Sequence, residues 1–136
     1  MAGSPSEFLQ AFLHDSISSY EELEALLLLA RERDRSWTDG ELAEALNVQV
    51  DAITPALDAL SAVEGLLEVD DQTGSRHCRY APKSKILRQV VEELAIAYVE
   101  QRLAIVRIMS ANALDRVRGA AMLRLANAFR IERPKK

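Results

Sequence analysis

The chain has 136 residues, 49% of them hydrophobic and 28% charged, which is enough for one core-forming domain with an appended helical element and too apolar for a disordered chain. A single cysteine, Cys78, excludes an intramolecular disulfide and fits a reducing cytosol. The net charge of −4 hides a polarity: residues 1–74 carry 16 acidic and 3 basic side chains (−13), residues 75–136 carry 5 acidic and 14 basic (+9). Such a polarity can guide self-association or set a basic face against an acidic partner, or it can be two solvated surfaces that differ. Aromatics are only 5%, and the Leu, Ala, Val and Ile bias favours helices over sheets. The N-terminus lacks the basic-then-apolar order of a signal peptide, and the longest apolar run, Ala25 to Ala30, is too short for a bilayer. The expectation is a soluble cytoplasmic protein with no membrane association.

The first helix is expected to begin at Ser4, Pro5, Ser6 and Glu7. There Ser4 would cap, Pro5 would take the first helical position and Glu7 would complete a capping box. Phe8, Leu9, Phe12 and Leu13 recur at helical spacing, and the helix should stop near Asp15 to Ser18. A second start signal pairs Ser18 with Glu21. Leu23, Leu26, Leu27 and Ala30 follow on one face, and Leu28 and Leu29 widen it, which predicts burial on more than one side. Ser36, Trp37 and Thr38 read as a short extended piece. Thr38 and Glu41 form another capping box, for a helix ending near Leu46 with Asn47 as a left-handed turn residue. Val50 to Val63 is the next helix, with Ile53, Leu57, Leu60 and Val63 as its buried stripe. After Gly65, Leu66 to Val69 and Arg76 to Ala81 read as two strands of a hairpin whose loop runs from Asp70 to Ser75. Ser84 caps a long helix from Lys85 to about Ser110, some 39 Å at 1.5 Å per residue, with Val91, Leu94, Tyr98, Ile105 and Ile108 on one side. Asn112 is expected to break it, with a last helix from Leu114 to Phe129 and a frayed basic tail from Arg133.

The order helix, extended piece, helix, tight turn, helix, hairpin resembles the winged helix-turn-helix of bacterial regulators of the MarR-like group. The resemblance covers residues 19–82. It rests on Leu42 to Val48 as the approach to the turn, Ala56, Leu57 and Leu60 on the second helix, and Gly65 to Val69 as the entry to the wing. It implies a mainly α winged helix with a two-stranded β wing and long C-terminal helices. Residues 1–82 would form the winged-helix domain with its N-terminal helix, and residues 83–136 a helical dimerisation extension.

The resemblance also implies DNA binding, with the second helix in the major groove and the wing against backbone or minor groove. The exposed candidates on that helix are Asp51, Ala52, Thr54, Pro55 and Asp58, none of them basic, which shifts the expected contact to the wing. The candidate nucleic-acid contacts are therefore Gln49, Thr54, Arg76, His77, Arg79, Lys83 and Lys85. On an extended strand His77 and Arg79 share one face, and Arg76, Cys78 and Tyr80 the other. The same cations could instead balance Glu68, Asp70 and Asp71 within a solvated hairpin. For the seam of Val91, Leu94, Tyr98, Ile105 and Ile108, pairing with a second copy competes with folding back onto the first helix. An alternative function is a protein-docking module whose Asp51, Thr54 and Asp58 face meets a basic partner. His14 and His77 lie in different elements, and neither a Cys/His metal spacing nor a phosphate loop nor a nucleophile elbow occurs, so the reading is a binding protein without metal or cofactor rather than an enzyme.

Overall fold

A computed structural model describes residues 5–71 and 74–132, with side chains through residue 126. Ser4, Gln72, Thr73 and the tail from Arg133 lie outside the described residues.

Helix α1 (Glu7–Ser16) is capped by Ser6, whose Oγ accepts from the Leu9 amide at 3.2 Å. The start expected at Pro5 thus moves two residues on. The physical reason is tertiary: the Ser6 amide and hydroxyl donate to the Glu93 carboxylate at 2.8 and 2.6 Å, which fixes Ser6 as the turning point. A similar shift occurs at α2 (Tyr20–Arg31), which is capped by Ser19 rather than Ser18. The Ser18 amide and hydroxyl donate to the carboxylate of Glu22 at 2.9 and 2.7 Å, so that this acid, although buried, is fully hydrogen-bonded. Leu23, Ala25, Leu26, Leu28 and Leu29 are all buried, which makes α2 the central helix and agrees with its wide apolar face.

Strand β1 (Trp37–Thr38) leads directly into α3 (Asp39–Leu46), and the capping box of Thr38 with Glu41 is present in both directions. Asn47 is left-handed, at φ 58° and ψ 47°, and turns the chain into α4 (Val50–Ser61). Ile53, Leu57 and Leu60 are fully buried. Pro55 lies inside α4 and cannot donate to the Asp51 carbonyl one turn back.

Strands β2 (Leu67–Asp70) and β3 (His77–Tyr80) pair antiparallel, Leu67 opposite Tyr80 and Asp70 opposite His77. β3 also pairs with β1, Trp37 opposite Cys78, so the sheet order is β1-β3-β2. Cys78 and Tyr80 turn into the core, and His77 and Arg79 alternate outward. The paired hairpin completes the tri-helical unit with its wing.

Ser84 caps α5 (Lys85–Glu100), and α6 runs from Arg102 to Glu132. The long helix therefore breaks at Gln101 (φ −134°, ψ 45°) and not at Asn112. No Gly or Pro marks the break. Arg102 stabilises it: its Nε donates to the Tyr98 carbonyl at 3.3 Å and its guanidinium stacks 4.4 Å from the Tyr98 ring centroid. The bend returns Ile105 and Met109 to the core beside α1. Asn112 sits buried within a continuous helix, its flanking Ala111 and Ala113 being strong helix formers.

One apolar core runs from Leu9, Leu13 and Ile17 of α1 through α2, α3 and α4 to Leu94 of α5 and Ile105 of α6. Beyond Asn112 every described side chain is exposed. Among the described residues no helix is long and apolar enough to cross a membrane.

Candidate nucleic-acid interface

Gln49 and Thr54 belong to the start and body of α4, and the other sequence candidates are spread from the loop end of the hairpin to its open end. At the loop end, Arg76 precedes β3 and shares the inward face with Cys78 and Tyr80. Its guanidinium therefore points at α3 and α4 rather than at solvent. Nε and one terminal nitrogen donate to the two Asp39 carboxylate oxygens at 3.2 and 2.8 Å, and that nitrogen also reaches the Thr54 carbonyl at 3.3 Å. The other terminal nitrogen pairs with Asp58. The Thr54 hydroxyl donates to Asp39 at 2.9 Å and closes the network.

Only 18% of the Arg76 side chain is exposed, so this is a partly desolvated clamp joining wing, α3 and α4. Burial pushes the Asp39 carboxyl up, but hydrogen bonds from Arg76 and Thr54 and the Arg76 charge outweigh it and hold Asp39 below its ordinary value. The same hydrogen bond to Asp39, with help from Asp58, raises Arg76 above its ordinary range against the cost of burial. Arg76 is a fixed cation whose donors are spent inside the chain, and it neutralises two acids on the α3–α4 surface.

The remaining candidates separate. Arg79, on the outward face, pairs across the ladder with Glu68, as the solvated-hairpin reading describes. His77 Nδ1 lies 3.1 Å from the Ser75 carbonyl. Gln49 is exposed at the start of α4 and makes no capping bond with its side chain, while its carbonyl accepts from the Ala52 amide at 3.0 Å. Lys83 and Lys85 lie at the opposite, open end of the hairpin. The Lys83 amide donates to the Gly65 carbonyl at 2.8 Å, and Gly65, at φ +75°, packs against the Lys83 side chain. The sequence groups these lysines with Arg76; the structure separates them. It also adds Asp39, which sequence reasoning missed because its capping-box position already explained it.

The α4 face proposed for a basic partner is partly occupied. Thr54 and Asp58 are both engaged within the chain, and Asp51 remains exposed.

The expected dimer seam is corrected by burial. Val91, Leu94 and Ile105 lie in the chain's own core, and Tyr98 and Ile108 pack partly buried against it. Large apolar side chains are exposed elsewhere on α6, at Leu103, Leu114, Val117, Met122, Leu123 and Leu125. Leu103, Leu114, Val117 and Leu125 are spaced by 11, 3 and 8 residues, which returns them to one side of the helix.

No group of three or more His, Cys, Asp or Glu among the described residues could hold a metal. Burial pushes the Cys78 thiol up, opposite to the shift a nucleophilic thiol needs.

No protein-family model and no curated protein matches the chain. Among solved structures it is similar to the S. aureus MepR F27L mutant bound to oligodeoxyribonucleotide, at 16% identity over 88% of this chain and 86% of that one, with a TM-score of 0.50. It is also similar to the adhesin competence repressor AdcR from Streptococcus pyogenes, at 16% identity over 90% and 89% of the two chains, with a TM-score of 0.48. The likeness to MepR is one of fold. It agrees with the element order and the antiparallel wing, and the chain has a mainly α, winged helix-turn-helix architecture resembling MarR-family regulators.

Proposed function

We propose that this chain is a cytoplasmic transcription regulator that binds duplex DNA as a homodimer and acts by binding rather than by catalysis. The observation that carries the reading is the winged-helix unit itself, in which the Arg76 clamp holds α4 and the wing in a fixed relation. The structural neighbour MepR, in the same fold, is bound to an oligodeoxyribonucleotide. In this reading Gln49 and the first turn of α4, which no side chain caps, approach the phosphates and bases, with His77 contributing from the wing. Arg76 contributes by cancelling the repulsion of Asp39 and Asp58 rather than by touching a phosphate. The buried, reduced Cys78 fits the cytoplasm.

The second copy is argued from α6. Among the described residues, its half beyond Asn112 is exposed and meets the rest of the chain through Arg116, which donates to the Ser18 carbonyl at 3.3 Å, so its apolar side chains have no cover within the chain. The apolar stripe of Leu114, Val117 and Leu125 would be covered by a second α6. Arg107, Arg116, Arg118 and Arg124 on this helix complement the acids Glu7, Asp15, Glu21 and Glu24 of α1 and α2.

Fluorescence anisotropy with a mixed-sequence duplex tests the DNA reading. Binding is expected at about 50 mM salt and weakens steeply by about 200 mM as counterions return. No binding at the lower salt with tens of micromolar protein would overturn it. Sedimentation at the same concentration tests the assembly: a mass twice the 15.1 kDa chain is expected, and a single-chain mass removes the dimer.

A further inference from the structure

All three basic residues of the acidic half, Arg31, Arg33 and Arg35, fall in the five residues that begin with the last of α2. The fold carries one of them to the open end of the wing. There Arg33, Asp34, Arg79, Tyr80, Pro82 and Arg88 line a cleft of about 200 Å³ between the end of α2, β3 and the first turn of α5. The cleft is smaller than the roughly 300–1,000 Å³ of drug-sized ligand sites, which suits a small polar group.

The side chains there are short of acceptors. The Arg33 and Arg88 guanidinium groups make no hydrogen bond or ion pair among the described residues. Arg79 spends one of its five donors on Glu68. Tyr80 is 6% exposed, and its hydroxyl has no hydrogen-bond partner. The hydroxyl oxygen is closed off from solvent, so Tyr80 gives the cleft a wall and the arginines give it its charge. Burial pushes the Tyr80 phenol up, with Glu92 adding to the rise against Arg88 and Arg33, so the group remains a donor at neutral pH. Asp34, exposed in the same wall, and Glu92 are the opposing acids.

We infer that the cleft bounded by Arg33, Arg79, Arg88 and Tyr80 binds a small oxyanion, a phosphate or carboxylate group, which accepts hydrogen bonds from the guanidinium groups. Three cations from three elements converge on it, and planar guanidinium forks match both anions. The site lies at the opposite end of the hairpin from the Arg76 clamp and does not depend on DNA binding. A bound anion would cross-link α2, the wing and α5.

Calorimetric titration of the full chain tests this. The probes are inorganic phosphate and acetate, with chloride at matched ionic strength as the reference. Saturable binding of phosphate or acetate is expected, and the tighter of the two names the preferred group. Arg88→Ala, at an exposed position that should not disturb folding, weakens it about tenfold, and Arg33→Ala, also exposed, weakens it several-fold. Lys85→Ala, a cation outside the cleft, leaves it unchanged. Oxyanions that behave as chloride does overturn the inference. So does a loss in Lys85→Ala equal to that in Arg88→Ala, which would show general screening instead of a site.

Discussion

The two halves of α6 are alike in composition and opposite in circumstance. Ile105, Met109 and Asn112 press against the chain's own core, and Leu114, Val117, Leu123 and Leu125 stand in solvent. Apolar content does not distinguish the halves; what differs is whether this chain supplies a covering surface. Stability in the first half is an intramolecular property, whereas in the dimer proposed above that of the second would depend on protein concentration.

Four experiments press on that contrast. The largest loss is expected from Ile105→Ala, about 3 kcal/mol by cavity formation, measured by urea denaturation and independent of protein concentration. A concentration-dependent loss would place Ile105 at an interface and dissolve the contrast. Next, Leu114→Glu with Val117→Glu should halve the sedimenting mass and leave the core intact by circular dichroism. An unchanged mass means that the distal stripe is not the joint.

Arg76→Ala lies outside α6 and calibrates a purely internal contact: about 2 kcal/mol should be lost at pH 7 at every concentration. Its pH dependence has a definite sign. Asp39 is depressed when folded, so its contribution is complete above the ordinary carboxylate pKa of about 3.9 and disappears as pH falls through the lower folded value. Wild type should therefore lose stability over that acid range, and Arg76→Ala should lose less. Equal acid sensitivity in the two proteins would separate Asp39 from the clamp. The smallest effect concerns Asn112, whose buried amide nitrogen lacks a partner. Asn112→Leu should gain about 1 kcal/mol in the monomer. A loss instead would show that the amide finds its acceptor in the assembled protein.

Local signals were legible wherever local chemistry decides. The capping box of Thr38 with Glu41, the left-handed Asn47 and the pairing of the wing strands follow from short-range rules, and the structure has them. The caps of α1 and α2 were misplaced by one or two residues because the neighbouring serines are equivalent locally and distant or recessed carboxylates choose between them. These are Glu93 for Ser6, and Glu22 for the pair of Ser18 and Ser19. The bend at Gln101 left no trace, since no breaker residue marks it and packing against α1 selects it. Helical spacing identified Val91, Leu94 and Ile105 as buried but could not say by whom.

For the candidate site, the strand alternation already placed Arg76 on the face of Cys78 and Tyr80. That face is inward, so a cation on it must meet an acid of the chain rather than a phosphate. Asp39 was the missing partner because a helix-capping position and a salt-bridge position look the same in one dimension.

Thr38 holds two offices at once. It is the residue of β1 that lies opposite His77, and it is the cap on which the first turn of α3 hangs. Any tug on the hairpin tip is therefore delivered through Thr38, beside the Arg76 clamp, to the start of a helix, with no slack of loop between. The flap and α3 must tilt together as one lever, and a change in how the tip is seated would be felt at Asn47 and the entrance of α4 as a rotation rather than as a local loosening.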